Sequence, residues 1–361
     1  MTPLLSIGIP TRNRPQALQK TLDTIERQIE AAGVSNKVEI VVSDNTDVDD
    51  LRLPASVVNR MSIRYLSNEG NIGYARNVNK LITEACGQYV WLLADDDMVQ
   101  EGAVQCIVAC LEWQKDPINY LTFYSGAVWG GETDDNFYFK NCTQHYFANG
   151  KDFLQKYWRN VIFISVNVFH RGNIVSHAKE HGLFENRNDV YQNSLMGLSL
   201  IDRLGHVQVI PKTLVFDSYD KKLYSPFNSV SVPVLEYVKL LTQLRALGVH
   251  RACLREIKKD VDASILSNGL RFVIRKMETT DEFDYAAEYR KVIGNKELYA
   301  SSRAKAVFVY ALFKLNPMVV KPLVKFLYAM KGKTNLYEAL RKDSIYWYQE
   351  MQKKSIKVSY G

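Results

Sequence analysis

Three consecutive carboxylates, Asp95-Asp96-Asp97, follow directly on the apolar run Tyr89-Val90-Trp91-Leu92-Leu93-Ala94. Adjacent carboxylates repel one another, and holding them at the end of a buried strand costs stability unless a cation shares the site. Hard divalent ions such as Mg2+ and Mn2+ prefer carboxylate oxygens, and Mg2+ keeps waters and takes phosphate oxygens as its remaining ligands. Ligands of open α/β sheets also bind at the carboxyl ends of the strands. The triplet therefore reads as a place for a divalent ion and a phosphate-bearing ligand. The plain alternative is a solvated acidic turn that caps the next helix through Asp97 and Glu101.

The elements that must position this triplet alternate regularly. Leu4–Pro10 is an apolar strand that opens into Pro10-Thr11-Arg12-Asn13-Arg14-Pro15. Leu18, Leu22, Ile25, Ile29 and Ala32 then mark one helical face, which Gly33 stops. Val38–Val42 is a second strand, followed at once by Ser43-Asp44-Asn45-Thr46-Asp47, and Met61–Leu66 is a third. Asn68–Gly73 carries turn chemistry. Ala75, Val78, Ile82 and Ala85 form a helix face ended by Gly87, and Tyr89–Leu93 is the fourth strand. Strands alternating with helices imply a parallel, right-handed, doubly wound sheet.

Three loops, Thr11–Arg14, Ser43–Asp47 and Asp95–Asp97, then converge at strand ends, beside the helix start Asn71–Asn77. Arg12, Arg14 and Arg76 suit a diphosphate, and Asp44 is an acceptor for a base or ribose. Against these stand surface arginines that serve solubility and an Asx-turn at Asp44. The glycines of NEGNIG add little, being neither a GxGxxG nor a Walker pattern.

Taken in order, Ile9–Arg14, Val41–Asn45, Asn71–Asn77 and Leu92–Asp97 resemble the successive signatures of family 2 glycosyltransferases. The resemblance is strong over about the first hundred residues and weaker to about residue 220. It implies a GT-A fold, a doubly wound mixed sheet flanked by helices, with a nucleotide-diphosphate sugar as donor. It also implies Mn2+ or Mg2+ and inversion at the sugar carbon. Carried over, donor binding falls to Pro10, Thr11, Arg12, Asn13, Arg14, Asp44, Asn71, Gly73, Arg76, Asn77, Asp95 and Asp96. Asp44 takes the nucleobase, and Asp95 and Asp97 hold the metal. One departure is Ser43, where the family often has the first of two acids; this bears on nucleotide preference. IPTRNRP and IFISVNVFHRGN are also similar to abequosyltransferase-like O-antigen enzymes.

Sugar transfer needs stabilisation of a leaving nucleotide diphosphate and a carboxylate that takes the acceptor proton. That base belongs to the following stretch. Tyr120–Val128 and Val161–Phe169 are strand-like, and Trp129–Asp135 between them reads as a loop suited to sugar contacts or as plain surface. The resemblance places the base within Leu183–Asp189, where Asp189 and Glu185 are both candidates and Asp189 is equally a helix cap. Val207–Ile210 and Thr213–Phe216 are further strands, and from Val232 the pattern is helical.

The chain has 361 residues and a formal net charge of +7. From Ser301 to Asn335 there are Arg303, Lys305, Lys314, Lys321, Lys325, Lys331 and Lys333 and no acid, so that the remainder is near neutral. Such a distribution argues against a nucleic-acid-coating protein. Apolar runs bordered by lysines, together with Tyr346-Trp347-Tyr348, suit a helix lying on an anionic membrane surface; a helix packed on the catalytic domain or a dimer contact is the alternative. Five cysteines fit neither a disulfide framework nor a metal spacing. With no leader before the first strand, the chain is expected in a reducing compartment, cytoplasmic and peripheral on the inner membrane. The expected organisation is a donor-binding half at 1–100, an acceptor half of the same domain at 101–225 and a basic helical region at 226–361. The expected acceptor is a lipid-linked saccharide of surface polysaccharide. A sugar nucleotidyltransferase and a catalytically silent saccharide- or membrane-binding protein are the competing readings. The first would carry a glycine-rich loop after its first strand, which IPTRNRP lacks.

Overall fold

Strand and helix alternate through the first hundred residues of the computed structural model as their apolar spacing requires. The structure describes residues 2–60, 63–114, 116–129, 132–134, 142, 144–185, 190–218, 235–279, 284–296, 298–330, 337–338 and 340–342. β1 (Leu5–Thr11), β2 (Val38–Asp44), β3 (Ile63–Ser67) and β4 (Tyr89–Leu92) are parallel, in the order β3-β2-β1-β4. α1 (Pro15–Ala32) follows β1, and α3 (Tyr74–Glu84) precedes β4, with a short α2 (Ala55–Arg60) between. Leu18, Leu22, Ile25 and Ile29 of α1 join Leu5, Ile7, Ile9, Ile40, Val42 and Trp91 in one buried core. Gly87 does not end α3, whose last helical residue is Glu84. It is instead the point of closest approach to β1, where a Cβ would lie 2.7 Å from the Ser6 backbone nitrogen.

After β5 (Met98–Val99) and α4 (Ala103–Glu112), β6 (Tyr120–Trp129) begins the second part of the sheet. β7 (Glu132–Asp134) pairs back on β6, so part of the expected loop at 129–135 is a hairpin arm. β8 (Tyr146–Phe147), α5 (Gly150–Tyr157), β9 (Asn167–His170), α6 (Arg171–Glu180), α7 (Gln192–Leu204) and β10 (Val207–Ser218) complete the layers. β9 lies between β4 and β6, antiparallel to both. The sheet is therefore mixed, not wholly parallel, with the order β3-β2-β1-β4-β9-β6-β10-β5.

Two local expectations are corrected. The strand expected over Val161–Phe169 is confined to Asn167–His170, because the Asn167 amide donates to the carbonyls of Val161, Phe163 and Ile164 and holds them in 3-10 turns. The two strands expected at Val207–Ile210 and Thr213–Phe216 are one strand, with its register to β6 shifted around Thr213.

The chain divides into two compact units, Met1–Tyr219 with Gln243–Leu254, and Asp220–Thr242 with Arg255–Gly361. Beyond the sheet come the helices α8 (Tyr237–Ala246), α9 (Arg251–Glu278), α10 (Tyr285–Gly294), α11 (Ala300–Lys314) and α12 (Pro317–Met330). The second unit has its own core, in which Phe272 stacks on Tyr285 at 5.0 Å and the buried Tyr289 hydroxyl donates to the Ile265 carbonyl at 2.8 Å. No described helix is long and apolar enough to cross a membrane.

Candidate functional site

β1, β2 and β4 end side by side, and their register places Thr11 opposite Asp44 and Gly8 opposite Leu92. Because β9 runs the other way, its start and the turn before it reach the same edge, with Asn167 opposite Leu92. The acidic triplet emerges between these two sides. Asp95 and Asp97 are buried and Asp96 is partly exposed.

Each carboxylate has a defined partner. The Thr11 hydroxyl donates to Asp95 Oδ2 at 2.6 Å, and Arg14 Nη1 reaches Asp95 Oδ1 at 3.2 Å and Asp96 Oδ2 at 2.6 Å. Thr21 of α1 donates to the Asp95 carbonyl at 2.9 Å. On the other side the buried Ser165 hydroxyl donates to Asp97 Oδ2 and accepts from the Ala94 amide at 2.9 Å. Burial pushes the Asp95 carboxyl up to about 6, and the Asp96 charge adds to this; the Thr11 and Arg14 bonds offset only part.

The expected donor loops are brought together. Asn13 takes a positive φ of 55°, and its amide donates to the Thr46 hydroxyl at 2.9 Å, tying the loop after β1 to the loop after β2. Arg12 is exposed and pairs with Asp47 at 2.8 Å. Asn45 Nδ2 donates to the Gly73 carbonyl at 3.2 Å, Asn71 Oδ1 accepts from the Gly73 amide at 3.0 Å, and Asn77 Nδ2 donates to the Ser43 carbonyl at 3.0 Å. Gly73, at φ 85°, is the residue before α3 and lends it no side-chain cap, and Arg76 stands exposed on its first turn. Pro10 is half-buried at the end of β1.

Asp44, the residue expected to meet the nucleobase, ends β2. It is buried, its Oδ1 accepts the Thr46 amide at 2.8 Å as an Asx-turn, and its Oδ2 accepts the Tyr65 hydroxyl and lies 3.8 Å from Arg52 Nη1. Arg52 also donates to the carbonyls of Thr46 and Asn68. Asp44 therefore shapes the loop that carries Asn45 and Thr46.

Towards the acceptor half, the Tyr74 hydroxyl of α3 donates to Asn193 Oδ1 at 2.9 Å, and Gln192 Nε2 donates to Asn79 Oδ1 at 3.1 Å. These bonds anchor the start of α7 against α3. Glu185 is exposed just before that anchor, while Asp189 lies outside the described residues. Ser165 was not singled out from the sequence; its only signal is a lone hydroxyl within the apolar run Val161–Phe169.

Among the described residues no group of three His, Cys, Asp or Glu side chains forms a ready metal cage. Asp95 and Asp97 are nonetheless hard carboxylate donors of the kind that, with phosphate oxygens and water, ligate a nucleotide-bound Mg2+ or Mn2+. Residues 6–171 match the model of "Glycosyl transferase family 2". Over residues 6–171 the chain is thus similar to the family 2 glycosyltransferases. Over 116 residues it is 29% identical to an abequosyltransferase of Salmonella typhimurium, covering 31% of this chain and 34% of that one. Over 112 residues it is 32% identical to the GalNAc(5)-diNAcBac-PP-undecaprenol beta-1,3-glucosyltransferase of Campylobacter jejuni, covering 29% and 34%. The chain thus spans about a third of the length of these curated relatives. A mannosyltransferase of Pyrobaculum calidifontis, solved with GDP-Man and Mn2+, superposes with a TM-score of 0.52 at 14% identity, covering 98% of this chain and 87% of that one. The fold is therefore a mixed α/β sheet with flanking helices, similar to that of the GT-A glycosyltransferases.

Proposed function

We propose that this chain transfers a sugar from a nucleotide-diphosphate donor to a saccharide acceptor. The observation that carries the reading is the pair of buried carboxylates, Asp95 and Asp97, held between the end of β4 and the turn before β9. Asp95 and Asp97 would hold a divalent ion, Mn2+ or Mg2+, and Asp96 would serve donor binding. That ion supplies positive charge for the departing diphosphate. Arg12, Arg14 and Arg76 add to it, and Arg14 exchanges its present carboxylate partners for the diphosphate. The open amides at the start of α3 suit the same anion. The loop Asp44–Asp47 receives the nucleoside.

In the transfer, the acceptor hydroxyl oxygen bonds to the sugar's anomeric carbon as the bond from that carbon to the diphosphate oxygen breaks. The hydroxyl proton passes to a carboxylate, Asp189 or Glu185, on the face opposite the leaving group, which gives inversion. The C. jejuni relative is named for an undecaprenol-linked acceptor, and the S. typhimurium relative is an abequosyltransferase. They support a lipid-linked saccharide in O-antigen or capsule assembly as acceptor. The basic stretch 301–335 would then meet an anionic membrane surface at its cytoplasmic face.

The test is thermal shift against UDP, GDP, CDP and dTDP, with and without Mn2+. A Mn2+-dependent rise with one nucleotide is expected, lost in Asp97→Ala with the fold intact. Absence of any shift, or full binding by Asp97→Ala, would refute the metal–donor assignment and favour a silent binder.

A further inference from the structure

α11 and α12 meet at Leu315-Asn316 in the second unit. Among the described residues, six of the twelve exposed large apolar side chains lie on these two helices and the link between them: Val307, Phe308, Leu315, Met318, Val319 and Phe326. Met318 is 86% exposed, Phe326 58% and Val319 57%. At helical spacing Met318, Val319, Pro322, Phe326 and Ala329 form one outward stripe, while Val320, Val324 and Tyr328 bury the opposite face. An ordinary surface helix turns apolar residues inward and polar residues outward; α12 is apolar on both faces. Nor is the corner a frayed end. Asn316 Oδ1 accepts the Met318 amide at 2.8 Å, and the Asn316 carbonyl accepts the Val319 amide at 2.9 Å.

The charges beside the stripe select its partner. Lys314, Lys321 and Lys325 flank it, and no acid occurs from 301 to 335. Two carboxylates reach them from elsewhere in the unit. Glu278 pairs with Lys321 at 2.8 Å and Arg341 at 3.0 Å, and Glu338 with Arg341 at 3.3 Å and Lys325 at 4.0 Å. Three cations thus share two carboxylates, and Lys314 lies over the Tyr310 ring at 5.7 Å, so the rim stays positive. A second copy docking by two-fold symmetry would set this positive rim against itself. A bilayer of anionic lipids instead offers an apolar interior beneath negative headgroups. The 14 residues of α12 extend only about 21 Å, short of the hydrocarbon thickness, so the helix lies along the surface.

We propose that the α11–α12 corner docks on an anionic bilayer by inserting Met318, Val319 and Phe326 among the acyl chains, with Lys314, Lys321 and Lys325 at headgroup level. The proposal rests on the membrane part of the reading above and is independent of the sugar chemistry.

The test is co-sedimentation of the full chain with phosphatidylethanolamine vesicles containing phosphatidylglycerol, and with phosphatidylcholine vesicles. The wild type is expected to bind the former, with weaker binding at high salt. M318E/F326E is expected to lose about tenfold or more of that partitioning, with unchanged circular dichroism and nucleotide-induced thermal shift. A K314E/K325E variant should weaken binding only to anionic vesicles. No wild-type binding would overturn both this proposal and the membrane part of the functional reading, leaving donor binding untouched. Equal binding by M318E/F326E would overturn the corner alone. A wild-type dimer that M318E/F326E dissociates, without vesicle binding, would assign the stripe to self-association and overturn the proposal.

Discussion

Replacing Asp95 with Asn should make the protein more stable while removing its metal-dependent donor binding. In the folded chain the Asp95 carboxyl is raised from 3.8 to about 6, chiefly by burial. Between those two values the folded state keeps a proton that the unfolded chain has lost. Stability therefore falls as pH rises through this window, and the full penalty is present above about pH 6. A shift of about two units corresponds to about 3 kcal/mol. Asn is a neutral isostere that can still meet Thr11 and Arg14, so it escapes most of that penalty. The assay is thermal unfolding in EDTA from about pH 5 to about pH 8, in the range where the linkage acts. Wild type should gain stability on acidification toward pH 5, and Asp95→Asn should be flatter and more stable at pH 8. In Mn2+ with the preferred nucleotide the order should reverse, because only the wild type is stabilised by ligand. An Asp95→Asn variant no more stable than wild type at pH 8 without metal would refute the claim that burial strains this carboxylate.

Ser165→Ala removes the hydroxyl between Asp97 and the Ala94 amide. It should cost about 1–3 kcal/mol in denaturant unfolding and raise the Mn2+ concentration needed for nucleotide binding. Gly87→Ala would force a Cβ to within 2.6 Å of Ser6 Oγ and 2.9 Å of the Leu5 carbonyl carbon, and should cost about 1–3 kcal/mol in the same measurement. Of Asp189→Asn and Glu185→Gln, the one that removes the base should abolish transfer yet leave nucleotide thermal shift intact; transfer retained by both would refute the assignment. His177, held down to about 4 chiefly by burial, stays neutral in the fold, so stability should decline as pH falls below the ordinary histidine value of 6.5. His177→Gln should weaken that decline.

Much of the donor half was legible because its strands are continuous apolar runs and its loops begin where those runs stop. β1, β2, β4 and α1 fall close to where the periodicity puts them, and three separated loops meet at one edge as parallel alternation requires. Of β9 the existence was legible but not the extent or the direction: it is four residues long, and only pairing with β4 and β6 shows it to be antiparallel. Ser165 escaped for the same reason, since its role depends on an antiparallel partner 68 residues from Asp97. Asp44 shows a different limit. The residue type fits a ligand acceptor and an Asx-turn equally, and its partners Tyr65 and Arg52, which sequence spacing does not encode, show that it also braces the loop. Asp189 and Tyr346-Trp347-Tyr348 lie outside the described residues.

The bond from Ser165 to Asp97 also bears on modular engineering. On the proposed reading a cut near residue 100 looks like a natural seam, with the nucleotide-facing loops on one side and the acceptor-facing elements on the other. Yet the turn before β9 supplies the hydroxyl that orients Asp97, and β9 covers the edge of β4. A chimera that takes its second half from another enzyme would import a new neighbour for this carboxylate along with a new acceptor specificity. Recombinants would then fail at donor binding for a reason lying wholly in the other parent. A seam placed after His170 would keep Ser165 and β9 with the strand they complete.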